Sequence, residues 1–465
     1  MKQDILDQVQ RIHFIGIGGS GMCPIAEILH HEGFELTGSD MNESDTLDRI
    51  RGYGIPVCLG HDAKNLGNAQ LVVYTAAIKG DNPELLAAKE RGIPVVERAQ
   101  MLGILTRRYQ NSIAVSGTHG KTTTTAMITQ LCIDGGKDPS AVIGGRLPYI
   151  GGNGRVGKSE IMVCEACEYV DTFLQLTPAV SVILNIEADH LDYFGTLENI
   201  ITSFHRFSAQ TGKVLIVNGD DPNALQAVQG ITNARVITFG FGAQNDYRAA
   251  EECETPGACE SFVLYHNNER LSKISLTVPG RHNVYNALAA AAVADYLGID
   301  PQTAADSLHR FTGVHRRFEI LGKFNGITVA DDFAHHPTEL TATLTAASQM
   351  GFGAVWALFQ PHTFSRTYLF LEDFAKALAI PEHVVLLPIL AVRETNTYNI
   401  YTSDLAAKIP GSVCLDSFEE MAEYAMAHAK PGDLILTLGG GDIYKCANLI
   451  VEKYKDEMAL ETTVH

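Results

Sequence analysis

Ser116-Gly117-Thr118-His119-Gly120-Lys121-Thr122-Thr123-Thr124 carries the side chains best suited to phosphate chemistry in this chain. The apolar run Ile113-Ala114-Val115 before it reads as a strand, and the residues from about Thr123 to Cys132 read as a helix. A strand that enters a glycine-rich turn and then a helix aims backbone N–H groups, and the positive end of a helix dipole, at one point. Lys121 adds a mobile cation for terminal phosphates, and Thr122 offers a hydroxyl to a magnesium ion. The usual phosphate loop has a glycine where Val115 stands here, so this loop is a shortened variant.

A second glycine loop lies upstream. The apolar stretch Arg11 to Ile15 enters Gly16-Ile17-Gly18-Gly19-Ser20-Gly21-Met22, a helix follows to about His31, and a strand from Phe34 to Gly38 ends at Ser39-Asp40. Glycines so placed let a pyrophosphate approach a helix N-terminus, and an acid about 20 residues on takes ribose hydroxyls. This pattern points to pyrophosphate and ribose without specifying nicotinamide, and a tight turn without a ligand is the alternative.

Other polar groups fall at strand ends, the edge where open α/β sheets bind ligands. Ile161 to Cys164 runs into Glu165-Ala166-Cys167-Glu168, and Val180 to Asn185 runs into Ile186-Glu187-Ala188-Asp189-His190. Glu165 and His190 are candidate partners of a phosphate-bound magnesium; a helix-capping Asp189 and a surface His190 are the alternative. Asn283 and Asn286 share one face of the first turn of an Ala-rich helix, where they could read a base edge or a ribose. Ile327 to Ala330 ends in Asp331-Asp332-Phe333-Ala334-His335-His336, and Ala354 to Phe359 ends in Gln360-Pro361-His362-Thr363-Phe364-Ser365-Arg366. The triple glycine Gly439 to Gly441 receives no role.

The elements that must position these groups alternate in α/β order. Strands at Val57–Leu59, Leu71–Thr75 and Pro94–Val96 interleave with helices around Thr46–Arg51 and Pro83–Arg91, which predicts a parallel sheet. Polar Thr106 to Asn111 ends that unit, Gly144 to Gly157 reads as a surface loop, and Val314 to Glu319 reads as a hinge strand. Val384–Leu387 and Leu434–Leu438 complete a third unit. The expected fold class is α/β in three domains: a Rossmann-like one over 1–108, a central phosphate-loop ATPase with a mostly parallel sheet over 109–313, and a second Rossmann-like one over 314–465.

With 465 residues the chain is too long for a single growing core, in keeping with that division. Its 35 basic against 54 acidic residues, a net charge of −19, disfavour a nucleic-acid or anionic-membrane surface. Met1 to Arg11 lacks an apolar leader core and no run approaches the ~20 apolar residues of a membrane span, so a cytoplasmic protein is expected. Nine scattered cysteines fit reduced thiols. Cys164 and Cys167 would face opposite sides of a strand, which argues against a metal or redox pair.

From the residues alone the sum is an ATP-dependent enzyme in which Lys121, Thr122 and Glu165 serve phosphoryl transfer to water, a hydroxyl or a carboxylate. Six stretches in order carry a resemblance: Gly16 to Met22, Gly117 to Thr124, Asn185-Ile186-Glu187-Ala188-Asp189-His190-Leu191-Asp192, Gly280-Arg281-His282-Asn283, His315-Arg316-Arg317-Phe318, and Asp331 to Glu339. Over nearly its whole length the chain resembles the Mur ligases of bacterial cell-wall synthesis. The resemblance implies a ligase that joins the lactyl carboxylate of UDP-N-acetylmuramate to L-alanine through an acyl phosphate made from ATP. It implies that Gly18, Gly19, Ser20, Gly21, Met22, Asp40 and Thr75 hold the UDP-sugar, and that Gly117 to Thr123 hold the phosphates of ATP. Thr122, Glu165 and His190 would serve magnesium or manganese ions, and His282, Asn283 and Asn286 the adenosine. Arg317 and Asp332 would complete the ATP site, while His335, His362 and Arg366 would lie near the alanine.

Two departures from the family pattern matter. Cys167 stands where an Asp is familiar, and the Pro-His-Arg of some relatives is Pro361-His362-Thr363, which leaves Arg366 as the carboxylate clamp. Position 205, where later-step ligases carry a carbamylated lysine, is His. A recycling ligase that adds a tripeptide would place a bulky aromatic where Ser20 and Gly21 stand. A nicotinamide-dependent dehydrogenase would leave Lys121 idle, and a nucleotide switch would leave the acids and histidines after Ala330 idle.

Overall fold

The computed structural model describes residues 4–392 and 394–463. By contacts the chain divides into two compact units, Met1–Arg248 with Tyr265–Glu269 and Asn286–Ser307, and Ala249–Leu264 with Arg270–Tyr285 and Leu308–His465.

The first unit holds two sheets. Strands β1 (Arg11–Ile15), β2 (Glu35–Asp40), β3 (Val57–Leu59), β4 (Leu71–Tyr74) and β5 (Val95–Glu97) form an all-parallel sheet in the order β3-β2-β1-β4-β5. The order reverses at β1, and the glycine loop leaves the end of that strand, the place where such sheets open a crevice. The second sheet contains β6 (Asn111–Ser116), β7 (Ser140–Leu147), β8 (Gly152–Arg155), β9 (Ile161–Glu165), β10 (Val180–Ile183), β11 (Val214–Asn218) and β12 (Arg235–Gly240), in the order β12-β11-β10-β6-β9-β7-β8. Its central strands are buried on both faces and therefore read as unbroken apolar runs such as Val180-Ser181-Val182-Ile183. The phosphate-loop strand β6 sits between β10 and β9, so Glu165 and the residues after Ile183 end on its two sides.

Strands β13 (Tyr247–Thr255), β14 (Cys259–His266) and β15 (Glu269–Pro279) pass from one unit to the other along the chain. The second unit has its own six-stranded sheet of β16 (Glu319–Phe324), β17 (Ile327–Asp332), β18 (Val355–Phe359), β19 (His383–Leu386), β20 (Val413–Cys414) and β21 (Leu434–Leu438), in the order β16-β17-β21-β18-β19-β20. Only β16 pairs antiparallel in that sheet. One face packs Leu340, Leu344 and Phe374, and the other packs Met421, Ile443 and Ile450.

Two expected elements differ. The stretch read as a glycine-rich loop is the hairpin β7–β8, with only the 3-10 turn Pro148–Ile150 between its strands. The low β propensity of glycine misleads there because the glycines make room for side chains of other elements, Glu165 against Gly144 and Pro24 against Gly154. Residues 314 to 318 form turns rather than a strand, and Arg316 and Phe318 sit at φ +61° and +47°. Cys167 lies beyond the end of β9 rather than within it.

Candidate active site

In the first unit Lys121 opens the helix Lys121–Asp134 directly after Gly120, whose φ of +83° is left-handed. A Cβ at Gly120 would lie 2.5 Å from Asn286 Oδ1, so both the backbone conformation and the space require glycine. The loop is clamped from the neighbouring strand end: Thr118 N donates to Asn185 O at 3.0 Å and His119 N to Asn185 Oδ1 at 2.7 Å. Glu187 N returns a bond to Thr118 Oγ1 at 2.9 Å, and Thr124 Oγ1 bonds Asn286 Oδ1 at 3.1 Å. Asn286, expected at the adenosine, is thus in direct contact with the end of the phosphate loop and the helix that follows it.

Lys121 Nζ folds back on its own loop, donating to Gly117 O at 2.5 Å and Thr118 O at 3.0 Å, and it pairs with Glu168 Oε2 at 2.9 Å. Burial opposes the charge, but the Glu168 carboxylate outweighs it and holds the ammonium above the ordinary lysine range. Glu168 itself is buried, and nothing in its sequence context marked it as the counter-ion.

Glu165 ends β9 and accepts from Gly144 N at 2.6 Å. It lines a cavity of about 340 Å³ together with Gly19, Ser20, Gly21, Met22, Thr75 and Arg98. The structure therefore brings most of the residues expected at the UDP-sugar site together with the expected metal carboxylate. Gly18 and Asp40 adjoin them, with Gly18 N donating to Asp40 Oδ2 at 2.9 Å, so one oxygen of Asp40 shapes the loop itself. Arg98 went unremarked in the sequence. Its signal was position, a cation directly after β5 on the ligand edge of the sheet, within 3.1 Å of where a Gly21 Cβ would stand.

His190 precedes a short helix with φ +52°, and the ring of Tyr169 lies 4.5 Å from its imidazole. The adjacent segment is strained: Val170 and Asp171 also adopt φ +53° and +56°, unusual for a β-branched residue. Asp171 is held there by Tyr193 Oη at 3.0 Å and by Ser203 Oγ.

In the second unit Asp332 ends β17 with its carboxylate accepting from Ala334 N at 2.7 Å, Phe318 N at 3.0 Å and Thr343 Oγ1 at 3.1 Å. Burial pushes its pKa up to about 6, against the pull of Arg317, whose guanidinium lies 5.1 Å from the Phe333 ring. His335 and His362 have ring centroids 5.5 Å apart, and Arg366, buried, places Nη1 3.2 Å from His362 Nδ1. The three expected alanine-site residues are thus neighbours. Gly440 packs against both rings, at 3.2 Å from His335 Cγ and 3.3 Å from His362 Cδ2 for a Cβ built there, which gives the triple glycine a steric role. Asn283 Nδ2 donates to Pro279 O at 2.7 Å, and a Cβ at Gly280, φ +94°, would lie 2.6 Å from His282 Cε1.

The raised pKa of Asp332 sets a pH dependence. Between 3.8, its ordinary value, and about 6 the folded unit binds the proton more tightly than the unfolded chain. The contribution of this carboxyl to stability therefore falls as pH rises through that window, by on the order of 3 kcal/mol in all. Asp332→Asn removes the effect. Denaturant unfolding followed by the fluorescence of Trp356, the single tryptophan, should show the variant gaining on the parent from pH 4 to 6 and then levelling off. A difference constant across that range would contradict the assignment.

Residues 11–110 match the Mur ligase family catalytic domain, 115–294 the Mur ligase middle domain, and 316–441 the Mur ligase glutamate ligase domain. The chain belongs to the Mur ligase family, with its three-domain, mostly parallel α/β fold. It is 43% identical over 458 residues to a UDP-N-acetylmuramate–L-alanine ligase of Acetivibrio thermocellus, covering 96% of this chain and 97% of that one. A protein of the same name from Caldicellulosiruptor bescii is 44% identical, over 96% of this chain and 99% of its own. Among solved structures, a UDP-N-acetylmuramate-alanine ligase of Thermotoga maritima superposes with a TM-score of 0.81 at 29% identity, covering 96% of this chain and 99% of that one.

Proposed function

We propose that this protein is an ATP-dependent ligase that forms the amide between the lactyl carboxylate of UDP-N-acetylmuramate and L-alanine, a step of peptidoglycan precursor synthesis in the cytoplasm. The observation that carries this reading is the cavity in which the first glycine loop and Glu165 meet, one strand away from the phosphate loop. The family matches and the alanine-ligase relatives support it. The matched segments also support domains at 1–108, 109–313 and 314–465.

In this reading Gly18 to Met22, Asp40 and Thr75 hold the UDP-sugar, and Arg98 adds a cation beside them. Gly117 to Thr123 cradle the phosphates of ATP, while His282, Asn283 and Asn286 hold its adenosine and Arg317 and Asp332 its far side. Lys121 leaves Glu168 to follow the γ-phosphoryl group as it moves to the lactyl carboxylate, giving ADP and an acyl phosphate. The amine of L-alanine, its carboxylate held by Arg366 beside His335 and His362, attacks the acyl carbon and loses a proton. The tetrahedral oxyanion then collapses, expelling inorganic phosphate as the amide forms. Thr122, Glu165 and His190 would hold magnesium or manganese. A hydroxyl, a carboxylate facing the cavity and an imidazole are a workable donor set for such ions, which when bound neutralise phosphate charge. Among the described residues no helix is long and apolar enough to cross a membrane.

The test is phosphate release by the full chain with ATP and magnesium. Release should require both UDP-N-acetylmuramate and L-alanine. Release that continues unchanged without the sugar would overturn the reading, and release supported by a tripeptide alone would favour a recycling ligase.

A further inference from the structure

The hairpin β7–β8 lines the cavity with one strand and holds the first glycine loop with the other. On β7, Val142, Ile143 and Gly144 line it, and Gly144 N donates to Glu165 Oε1 at 2.6 Å. A Cβ at Gly144 would lie 2.6 Å from Glu165 Oε2, so a side chain there would push the carboxylate out of its present place. On β8, the side-chain amide of Asn153 donates to the carbonyl of Ser20, in the middle of the first glycine loop. Either side of Asn153 the same strand is seated on the loop's supporting helices. Arg49 Nη2 donates to Gly154 O at 3.2 Å while its Nε pairs with Glu27 Oε1 at 2.6 Å, and a Cβ at Gly154 would lie 2.6 Å from Pro24 Cβ.

We propose that this hairpin sets the reach from the glycine loop to Glu165, and that Asn153 is a positioning residue for the diphosphate of the sugar nucleotide. The inference rests on reading that loop as the UDP-sugar site. In a planar trans peptide the C=O and N–H point in opposite directions. Tying the Ser20 carbonyl to Asn153 therefore turns the N–H of Gly21 away from Asn153, and Gly21 lines the cavity. Glycine at position 21 leaves this peptide free to flip, and a flipped peptide would present an oxygen lone pair to an anionic diphosphate in place of an N–H donor. Asn153 blocks the flip with a side-chain donor from the element that also holds Glu165.

Calorimetric titration of the full chain with UDP-N-acetylmuramate, without ATP, tests this. Asn153→Asp keeps the shape but opposes an acceptor to the Ser20 carbonyl, and its dissociation constant should rise about 10-fold or more, with Asn153→Ala between it and the parent. The KM for ATP should stay within about twofold, and the melting temperature within about 2 °C. Gly154→Ala, which displaces β8 from Pro24, should weaken sugar binding with the same selectivity. Parent-like binding by Asn153→Asp overturns the positioning role, as does a parallel loss of sugar affinity, ATP affinity and melting temperature. A parent chain that binds no UDP-N-acetylmuramate overturns the underlying reading of the loop, a result distinct from either.

Discussion

Lys121→Ala is expected to lower phosphate release about 10³-fold or more, because the loop holds no other lysine or arginine that can follow the moving phosphoryl group. The loss should fall on kcat more than on the KM for ATP, since the backbone N–H groups of Gly117 to Thr123 still bind the nucleotide. The same substitution has a structural side effect that must be separated from the chemical one. It strips the buried Glu168 of its 2.9 Å partner and leaves a carboxylate without a counter-ion. Lys121→Ala with Glu168→Gln removes both charges, so it should recover thermal stability while staying inactive. Near-parent turnover in either variant would remove Lys121 from the chemistry. Recovery of activity in the double variant would show that Glu168, not Lys121, had been the cause of the loss.

Arg316→Ala should destabilise the second unit by about 3 kcal/mol, the low end of the cost of stripping a buried carboxylate of its cation, since Arg316 itself is 23% exposed. Arg316 gathers the end of β17 and the triple glycine into one arrangement. Its Nε meets Asp331 Oδ2 at 2.8 Å, and its two other nitrogens donate to Gly441 O and Gly439 O, each at 2.9 Å. The guanidinium also lies 4.9 Å from the Phe333 ring and 4.8 Å from that of Tyr444. Removing it leaves Asp331 buried with Thr437 Oγ1 at 2.6 Å as its side-chain support. Burial already pushes the Asp331 carboxyl up against the pull of Arg316, so without the arginine it would protonate more readily. The destabilisation should therefore be larger at pH 8 than at pH 5. Trp356 reports on this unit from β18, stacked 3.9 Å from His383 with its Nε1 on Asp433 Oδ2 at 3.2 Å, so denaturant titration of its fluorescence is the measurement. A loss below about 1 kcal/mol, or one independent of pH, would contradict the account.

Short-range signals made much of this protein legible. The two glycine loops announce themselves because a left-handed residue such as Gly120 and a close approach such as Gly18 beside Asp40 each demand one residue type at one place. Buried parallel strands announce themselves because both faces are apolar, as in β6, β10 and β17. Acids and imidazoles directly after those strands then mark the ligand edge, which is how Glu165, His190, Asp332 and His335 stood out.

What escaped the sequence depends on partners distant along it. Glu84 is one example: it reads as an ordinary helix acid, yet it is fully buried and accepts from Ser39 Oγ and Asn65 Nδ2, each at 2.6 Å. Glu168 is another, since its role as counter-ion exists only because β9 ends beside the phosphate loop. The hairpin β7–β8 lacks the alternating side chains of a strand, and its glycines stand where Glu165, Arg49 and Pro24 would lie within 3 Å of an added Cβ. The chain by itself determined the family, the ligand edges and the residues presented there, because those rest on local backbone geometry and residue chemistry. Only the tertiary structure decided which groups meet: Asn153 with Ser20, Gly144 with Glu165, Arg316 with Gly439. Such meetings depend on strand order and register, which no spacing along the chain encodes.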